Sequence, residues 1–413
     1  MKFIERSLSE AVLRASRTFK CLLVSGPRQV GKTTLLKSLA GKDRRIVTLD
    51  DVRARALAKR DPELFLATYP PPVMIDEVQY APELFPYIKM QVDSSERTGQ
   101  YWLTGSQPFR LMKNVSESLA GRVAILTLQG LSEAERSGVR DTPFIPGSRI
   151  AASAGRIRTR EAAAAAMFRG GFPQLTAIPE TDVGLFMSSY VATYLERDVR
   201  DLVRASHELE FSTFLSCLAA RTGQLLNATA LAQDVGVSAP TIREWLSILE
   251  SSGVVVLLHP YRSNLTRRAI ATPKVYFTDT GLAAHLCGIA SPEELARSEQ
   301  FGHLFENWVI MDILKSWWHA ARDCRAFFFR DREGHEIDLL VQNGARRHPI
   351  EIKAAALPQM ESIRVNFRVL AETGVRLGPG AVVCLSAENM PLDKDLSVVN
   401  AGNIGFPQEE VQA

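Results

Sequence analysis

The sequence predicts an α/β protein that begins with a parallel β-sheet carrying helices on both faces and continues into a helical module and an α+β domain. Three observations support this prediction. In residues 1–140, short apolar runs alternate with stretches of helical periodicity, the pattern of parallel strands joined by crossover helices. Residues 211–290 are mostly helical and end in a hairpin, whereas residues 301–413 begin with a long amphipathic helix that leads to several strands. The predicted segments are therefore 1–140, a linker and helical segment at 141–206, the module at 207–290 and the last domain at 291–413.

Composition places the chain among globular proteins of ordinary make-up. Of its 413 residues, 46% are hydrophobic and 23% are charged, and no apolar run approaches the ~18 residues that a membrane helix needs. We therefore expect no membrane contact, and the N-terminal residues do not have the pattern of a signal peptide. The five cysteines are scattered and never form a C-x-x-C pair, which predicts reduced thiols, a cytoplasmic location and no zinc site.

The formal net charge of +3 is unevenly distributed along the chain. Residues 1–150 contain 23 Lys+Arg and 16 Asp+Glu, a balance of +7, and the remaining 26 Lys+Arg and 30 Asp+Glu give −4. A nucleotide site and a basic surface would explain the excess in the first part. A solvated surface would produce the same local clusters, so charge alone does not identify a nucleic-acid partner.

The first candidate strand leads directly into a phosphate-binding loop of the form G-x-x-x-x-G-K-[ST]. The loop consists of Gly26, Pro27, Arg28, Gln29, Val30, Gly31, Lys32 and Thr33, and Thr34 continues into a helix. Backbone N–H groups of such a loop surround a polyphosphate, to which the helix N-terminus presents its positive dipole. Lys32 would contact the β- and γ-phosphates, and the Thr33 hydroxyl would bind Mg²⁺. The strand–loop–helix context predicts a P-loop NTPase domain that uses ATP and Mg²⁺.

Polar side chains also follow two later strands of the predicted sheet. The candidate strands are 21–24, 45–49, 72–75, 100–103 and 123–128. Asp76 would hold Mg²⁺ through water, and Glu77 would orient and polarise the attacking water. Without the loop, such an Asp-Glu pair would be interpreted as a surface turn. Thr104 and Ser106 follow the next strand, and both are candidates for contacting the γ-phosphate.

Arg122 directly precedes the fifth candidate strand. An arginine in this position can act as an arginine finger, either in its own chain or toward a neighbouring subunit. The alternative is a surface ion pair, which contributes little to stability.

The middle module has the pattern of a helix-turn-helix followed by a hairpin. One helix ends at Gly236, Ser238 can cap the next, and Ile242 falls on the apolar face of that second helix. Thr241 and Arg243 fall on its outer face. The predicted hairpin pairs 253–258 with 274–277, and its basic residues are Arg262, Arg267, Arg268 and Lys274. The pattern predicts a winged helix that contacts DNA through Thr241, Arg243, Arg267 and Arg268; the alternative is a winged helix that contacts only proteins.

Three charged residues of the last domain fall on adjacent predicted strands. Asp338 lies on one strand, and Glu351 and Lys353 share one face of its antiparallel neighbour because strand side chains alternate. Asp338 and Glu351 would hold a divalent metal ion, and Lys353 would stabilise charge on a scissile phosphate. The arrangement resembles the PD-(D/E)xK nuclease core, a restriction-endonuclease-like fold, with Glu306 on the preceding helix as a further acid. The alternative is a nuclease-like scaffold that does not cleave.

Several motifs, in this order, resemble those of one family of prokaryotic proteins. They lie at 26–34, 75–79, 103–106, 119–122, 170–173, 194–199, 277–282 and 302–307. The chain resembles proteins in which an AAA-type (AAA_14) ATPase domain precedes a C-terminal domain of unknown function, DUF4143, and the resemblance covers nearly the whole chain. It implies an ATP-binding protein that forms homo-oligomers, with a ring as one such assembly.

These observations lead to one main hypothesis and two alternatives. The main hypothesis is an ATPase that binds DNA and couples ATP hydrolysis to DNA remodelling or translocation, with a nuclease-like last domain. The first alternative is an ATP-dependent switch or regulator that acts on a protein partner and whose nuclease-like domain is inactive. The second is a metal-dependent nuclease that ATP only regulates. DNA-stimulated hydrolysis that requires Lys32 would favour the main hypothesis.

Overall fold

The computed structural model of the protein describes residues 3–106, 118–147, 149–150, 157, 159–195, 208–261 and 272–409. Its helices are α1 (Ser9–Thr18), α2 (Lys32–Leu39), α3 (Val52–Arg60), α4 (Pro62–Thr68), α5 (Leu84–Asp93), α6 (Glu133–Arg136), α7 (Arg160–Arg169), α8 (Pro173–Ala177), α9 (Val183–Tyr190), α10 (Glu208–Ala219), α11 (Ala228–Val235), α12 (Ala239–Ser251), α13 (Thr280–Leu286), α14 (Pro292–Arg297), α15 (Phe301–Trp318) and α16 (Met360–Glu372). Its strands are β1 (Cys21–Ser25), β2 (Arg45–Thr48), β3 (Val73–Asp76), β4 (Tyr101–Gly105), β5 (Val123–Thr127), β6 (Arg149–Ile150), β7 (Val255–Leu258), β8 (Lys274–Phe277), β9 (Arg325–Arg330), β10 (Glu336–Asn343), β11 (Arg346–Lys353), β12 (Gly380–Cys384), β13 (Met390–Pro391), β14 (Leu396–Asn400) and β15 (Gln408–Glu409). A π-helical turn at Val191–Leu195 follows α9, and 3₁₀ turns lie at Val78–Tyr80 and Ala401–Asn403.

The first five strands form the predicted parallel sheet, in the order β2-β3-β4-β1-β5. Successive side chains of the central strand β1 alternate between two hydrophobic cores, one on each face of the sheet. Cys21 and Leu23 pack with residues of α3, α4 and α5, whereas Leu22 and Val24 pack with residues of α1 and α2. Helices therefore cover both faces, because strand side chains alternate. Since β4 lies between β1 and β3, the C-terminal ends of these three strands meet at one edge of the sheet.

A larger core extends from the helices after this sheet to the C-terminal strands, and it includes Phe144 together with residues of α7, α8 and α9. Parts of the predicted linker therefore pack into the second half of the chain. The Trp317 indole donates to the Phe144 carbonyl oxygen (3.1 Å), and the Phe144 N–H donates to the Ser316 hydroxyl (3.0 Å). Residues 141–147 are fixed to the end of α15 by these contacts.

The middle module contains helices α10, α11 and α12 and the antiparallel hairpin β7–β8, in the order that the sequence predicts. Gly236 ends α11 in the left-handed conformation, at φ 81°, and the Thr241 N–H donates to the Ser238 hydroxyl (3.3 Å) at the start of α12. Trp245 is buried, with its ring centroid 5.2 Å from that of Phe211. This packing turns the side of α12 that bears Arg243 outward.

The β7 side of the hairpin is held by the last domain. The Tyr261 N–H donates to the Phe328 carbonyl oxygen (2.7 Å), and the Phe328 N–H donates to the His259 carbonyl oxygen (3.1 Å). The chain that follows β7 thus pairs with β9, the edge strand of the C-terminal sheet. The hairpin connects the middle module to the last domain and does not project freely along this side.

The C-terminal sheet is mixed and has the order β13-β14-β12-β11-β10-β9. Strands β9, β10 and β11 are antiparallel, whereas β11, β12 and β14 are parallel, and α16 makes the crossover from β11 to β12. The long helix α15 packs against the inner face of this sheet within the larger core. Across the part of the chain that the structure describes, no helix combines the length and apolarity that a membrane span requires.

Candidate functional site

The loop between β1 and α2 has the backbone conformation that a phosphate-binding loop needs. Gly26 has φ 144°, and a Cβ at this position would clash with the Leu128 carbonyl oxygen. Gly31 has φ 90° at the position that caps α2. Glycine is required at both positions because other residues rarely adopt such angles. The predicted strand–loop–helix arrangement of residues 26–33 is therefore present.

Lys32 folds back over the loop that precedes it. Its ammonium group donates to the carbonyl oxygens of Gly26 (3.0 Å) and Pro27 (2.6 Å), and the residue is 5% exposed. A buried ammonium group at the start of α2 supplies positive charge where the helix dipole is also positive. The loop thus concentrates positive charge at the edge of the sheet, as binding of a polyphosphate demands.

Thr33 and Thr104 converge on Asp76. The hydroxyl groups of Thr33 and Thr104 donate to the Asp76 Oδ1 oxygen over 2.6 Å and 2.5 Å. Mg²⁺ prefers carboxylate, hydroxyl and water oxygens, so this donor set fits a magnesium ion. The sequence predicted the pair of Thr33 and Asp76 from their motifs, and the sheet order explains their proximity, because both follow strands that end at the same edge.

Glu77 lies beside this group and is held by its neighbours. Its backbone N–H donates to the Thr104 hydroxyl (3.1 Å), and the Ser106 hydroxyl donates to its carboxylate (3.0 Å). The Gln79 side chain also contacts the carboxylate. Glu77 has φ 58°, a left-handed conformation that turns the chain sharply after β3. Thr104 therefore touches both acidic residues, whereas Ser106 touches only Glu77.

Arg122 lies away from this site. It precedes β5, which runs parallel to β1, so it is at the sheet edge opposite the phosphate-binding loop. Its guanidinium pairs with Asp93 through Nε–Oδ1 (2.5 Å) and Nη2–Oδ2 (3.1 Å), and this hydrogen bonding lowers the pKa of Asp93. Within its own chain Arg122 forms the surface ion pair that was the alternative prediction. A contact with the nucleotide of a neighbouring subunit stays a prediction.

A cavity of about 220 Å³ lies next to the loop. Gly31 and Leu35 line it on one side, and Phe3, Ile4 and Pro173 line it on the other. An apolar slot that adjoins a phosphate-binding loop suits a planar purine base. No local sequence pattern predicts this cavity, because its walls come from the N-terminus and from α8, about 170 residues apart by sequence number.

Arg6 joins the phosphate-binding loop to buried acidic residues. Its guanidinium donates to the carbonyl oxygens of Val30 (2.7 Å) and Gln129 (2.8 Å) and pairs with the Glu135 carboxylate (3.1 Å). Burial opposes the ionisation of Glu135, but the charges of Arg6 and His319 outweigh it and lower the pKa of Glu135 to about 2. No local sequence pattern predicts this contact, which joins residues 129 positions apart.

Helix α15 connects this region to the middle module and the last domain. Near its C-terminus, the Lys315 ammonium donates to the Leu131 carbonyl oxygen (3.2 Å), and His319, just beyond the helix, contacts Glu135 (3.4 Å). Near its N-terminus, the Asn307 side chain forms two hydrogen bonds with the backbone of Phe277 (2.8 and 2.7 Å). One rigid element therefore contacts both the chain that leaves the first sheet and the hairpin of the middle module.

Two of the motifs that carry the family resemblance contact each other. The N–H groups of Gly171 and Leu282 donate to the two oxygens of the Asp279 carboxylate (2.7 and 2.9 Å). A Cβ at Gly170 would clash with the same carboxylate. The motifs at 170–173 and 277–282 thus clamp the chain before α8 to the start of α13.

The charged residues predicted in the last domain are brought together. The Lys353 ammonium contacts Glu351 (2.8 Å) and Asp338 (3.5 Å), and the Ile352 N–H donates to Asp338 (2.8 Å). Burial and the charge of Asp338 raise the pKa of Glu351 to about 8 and that of Glu306 to about 7. The structure therefore brings the side chains of Asp338, Glu351 and Lys353 together.

A second lysine enters this group from the middle module. Lys274 of β8 lies 3.1 Å from Glu306 and 2.5 Å from Glu336, and its side chain is 4% exposed. Glu306 and Glu351 accept hydrogen bonds from Lys274 and Lys353, and the Lys353 ammonium group lies 3.5 Å from Asp338. The donor set therefore does not fit a divalent metal ion, in contrast to the set around Asp76. Lys274, one of the basic residues of the predicted hairpin, is thus buried beside carboxylates.

The residues predicted to contact DNA are only partly described. Arg243 is exposed on α12, and Thr241 is half-buried with its hydroxyl 2.8 Å from that of Ser238. Arg262, Arg267 and Arg268 lie outside the residues that the structure describes.

Comparison with known proteins gives matches along the whole chain. A family described as an AAA domain matches residues 18–137, a domain of unknown function (DUF8612) matches 160–293, and a domain of unknown function (DUF4143) matches 301–404. Uncharacterized proteins of Mycobacterium bovis and Mycobacterium tuberculosis are each 32% identical over 406 residues, which cover 97% of this chain and 85% of each relative.

Similar solved structures are more distant. A Walker-type ATPase of Pyrococcus abyssi is 14% identical with a TM-score of 0.42, and the match covers 68% of this chain and 94% of that one. RuvB of Thermotoga maritima is 18% identical with a TM-score of 0.27, over 60% of this chain and 85% of that one. Both TM-scores lie below 0.5, so neither likeness bears on function.

Proposed function

Because this chain belongs to the family of proteins that join an AAA-type ATPase domain to a C-terminal DUF4143 domain, we propose that it hydrolyses ATP and couples this reaction to the remodelling or translocation of DNA. The observation that carries the ATPase proposal is the hydrogen-bonded group of Thr33, Asp76, Thr104 and Glu77 beside the phosphate-binding loop. This group has an oxygen donor set for magnesium and a carboxylate next to it.

Each residue of the group has a distinct role in this proposal. Lys32 pairs with the phosphates, for which its ammonium group leaves the loop carbonyls. Thr33 and Asp76 hold Mg²⁺, which neutralises phosphate charge when bound. Glu77 accepts a hydrogen bond from the attacking water and orients it. Thr104 keeps Glu77 and Asp76 at a fixed separation, because its one hydroxyl bonds to both residues.

The DNA part of the proposal rests on the middle module. Helices α11 and α12 meet at Gly236 in a tight turn, and α12 exposes Arg243 beside Thr241. A helix presented in this way can enter the major groove while basic residues contact phosphates. Assembly into a homo-oligomer, in which Arg122 reaches the nucleotide of a neighbour, and a cytoplasmic location belong to the same proposal.

Steady-state ATP hydrolysis with Mg²⁺ tests the proposal, measured without DNA and with single-stranded, duplex and branched DNA. Wild type is compared with Glu77→Gln and with Glu83→Gln, a matched control because Glu83 is exposed on the surface. We expect Glu77→Gln to lower hydrolysis by about a hundredfold or more and Glu83→Gln to retain it. If DNA is the partner, we expect one DNA form to stimulate hydrolysis. Arg243→Ala should reduce this stimulation, whereas Arg17→Ala, on the exposed side of α1, should retain it.

A second function is favoured by one contact. Gly253, at the end of α12, lies against Pro27 of the phosphate-binding loop, where an added Cβ would come within 3.2 Å of the proline ring. A displacement of the loop on nucleotide binding would therefore reach the middle module directly, as a switch requires. Slow hydrolysis whose rate does not change with any DNA form, together with ATP-dependent assembly, would favour an ATP-dependent regulator of a protein partner. The same result would contradict the DNA proposal.

A further inference from the structure

The last domain contains an acidic pocket formed by Glu306, Glu336, Asp338 and Glu351. These residues come from α15, β10 and β11, and their side chains are from 2% to 25% exposed. Four carboxylates in such a space repel one another unless cations compensate them. The identity of those cations decides what the pocket can do.

Lys274 supplies one of the cations. Its ammonium group lies 3.1 Å from Glu306 and 2.5 Å from Glu336, and it faces the Phe328 ring at 5.7 Å. Its side chain is 4% exposed. A buried ammonium group is tolerated only when it is paired and hydrogen-bonded. The contacts with Glu306 and Glu336 therefore stabilise both the buried ammonium group of Lys274 and the two carboxylates.

Other groups of the chain contact further oxygens of Glu336, Asp338 and Glu351. Lys353 contacts Glu351 and Asp338, and Arg330 contacts the second oxygen of Glu336 (3.1 Å). The Asn366 side chain lies 3.3 Å from the second oxygen of Glu351. Each of the four carboxylates thus has at least one oxygen in contact with a donor of the chain. A magnesium ion that took oxygen ligands from this pocket would compete with those donors.

The strand that carries Lys274 is anchored beside the pocket by further bonds. The Tyr276 hydroxyl donates to Glu306 (2.6 Å), and the Asn307 side chain bonds to the backbone of Phe277. Lys274 is therefore not a mobile surface lysine that happens to reach an acidic group. It is positioned by the same strand that continues into the Asp279 clamp.

We infer that the resident cation of the acidic pocket is the Lys274 ammonium group and that the pocket takes no divalent metal ion while Lys274 is in place. The last domain then does not cleave DNA, although it resembles a nuclease. The pocket instead fastens the hairpin β7–β8 to α15 and β10. This inference concerns a different site from the nucleotide loop and does not depend on ATP hydrolysis.

The test is a titration of the nucleotide-free full chain with Mn²⁺, in which the electron paramagnetic resonance signal of free Mn²⁺ reports binding. Wild type is compared with Lys274→Met, which keeps most of the length of the side chain without its charge, and with Lys394→Met, a control at an exposed lysine. We expect Lys274→Met to gain a site that binds Mn²⁺ about tenfold or more tightly than wild type. The gained site should disappear when Asp338→Asn is added, and Lys394→Met should behave as wild type.

Two results would overturn the inference. The first is an Mn²⁺ site in wild type that Asp338→Asn removes, and the second is a folded Lys274→Met variant that gains no site. Circular dichroism and thermal unfolding establish whether the variant folds. If it does not, wild type and Asp338→Asn are compared for cleavage of plasmid DNA with Mg²⁺ or Mn²⁺, and cleavage that requires Asp338 would equally contradict the inference.

Discussion

Arg6 and Glu135 form a buried ion pair, with 3.1 Å between Nε and Oε2 and side chains that are 5% and 0% exposed. The same guanidinium bonds to the Val30 carbonyl oxygen, directly before Gly31 of the phosphate-binding loop. His319, just beyond α15, contacts the same Oε2 oxygen of Glu135 (3.4 Å). The backbone of the nucleotide loop is thereby tied to the helix that reaches the acidic pocket. Any change of the loop that displaces Arg6 also changes what Glu135 and His319 contact.

Replacement of Arg6 should weaken both folding and nucleotide binding. Arg6→Ala leaves the Glu135 charge buried without its main partner, which should lower the free energy of unfolding by about 3–5 kcal/mol. Arg6→Lys keeps the charge but loses the forked geometry, so it should cost less stability while still weakening ATP binding. Denaturant unfolding and fluorescent-nucleotide titration measure the two effects. Arg14→Ala on the exposed side of α1 is the control, and ATP affinity unchanged in a folded Arg6→Lys variant would show that Arg6 does not position the loop.

The stability of the chain should depend on Glu135 at acidic pH. Its pKa of about 2 in the folded chain lies below the ordinary value of 4.5, so the folded state favours the ionised form. The stabilisation is therefore complete above about pH 4.5 and is lost as the pH falls towards 2, with a total of about 3 kcal/mol. Thermal unfolding between pH 7 and pH 3 should show a smaller decrease for Glu135→Gln than for wild type. Glu161→Gln, at an exposed position on α7, should follow wild type, and parallel curves for all three proteins would contradict the prediction.

Gly26→Ala should abolish nucleotide binding. The added Cβ would clash with the Leu128 carbonyl oxygen, and the φ of 144° is unfavourable for alanine. The loop must therefore move away from β5 and lose the arrangement of its N–H groups. Gly41→Ala is the matched control, because a Cβ there meets no other atom. Isothermal titration with ATP in the presence of Mg²⁺ checks the expectation, which fails if Gly26→Ala binds ATP as tightly as Gly41→Ala does.

Thr104 should affect the rate of hydrolysis more than the affinity for ATP. Thr104→Val removes the hydroxyl that bonds to Asp76 and to the Glu77 N–H, so Glu77 loses its fixed position. We expect kcat to fall by about ten- to a hundredfold, with KM changing by less than about threefold. Thr104→Ser retains the hydroxyl and should restore most of the rate. A rate that is lost in the serine variant but retained in the valine variant would instead indicate a packing role for the methyl group.

The sequence by itself determined the parts of the site that depend on local patterns. The loop at 26–33 could be recognised because its conformation is encoded by adjacent residues, among them two glycines at positive φ. Asp76 and Glu77 could be placed with Thr33 because parallel strands end at one edge of the sheet. Glu351 and Lys353 could be placed on one face because strand side chains alternate.

Only the tertiary structure decided which distant residues complete these sites. Arg6 meets Glu135 across 129 positions and Lys274 meets Glu306 across 32, and no local pattern distinguishes these cations from exposed ones. The parallel direction of β5 placed Arg122 at the edge opposite the nucleotide loop, although its motif suggested a role in hydrolysis. Local sequence specifies backbone conformation and periodicity, but the pairing of a buried charge depends on how whole elements pack. For this reason local patterns located the residues proposed for the nucleotide site, whereas the lysine in the acidic pocket became visible only in the folded chain.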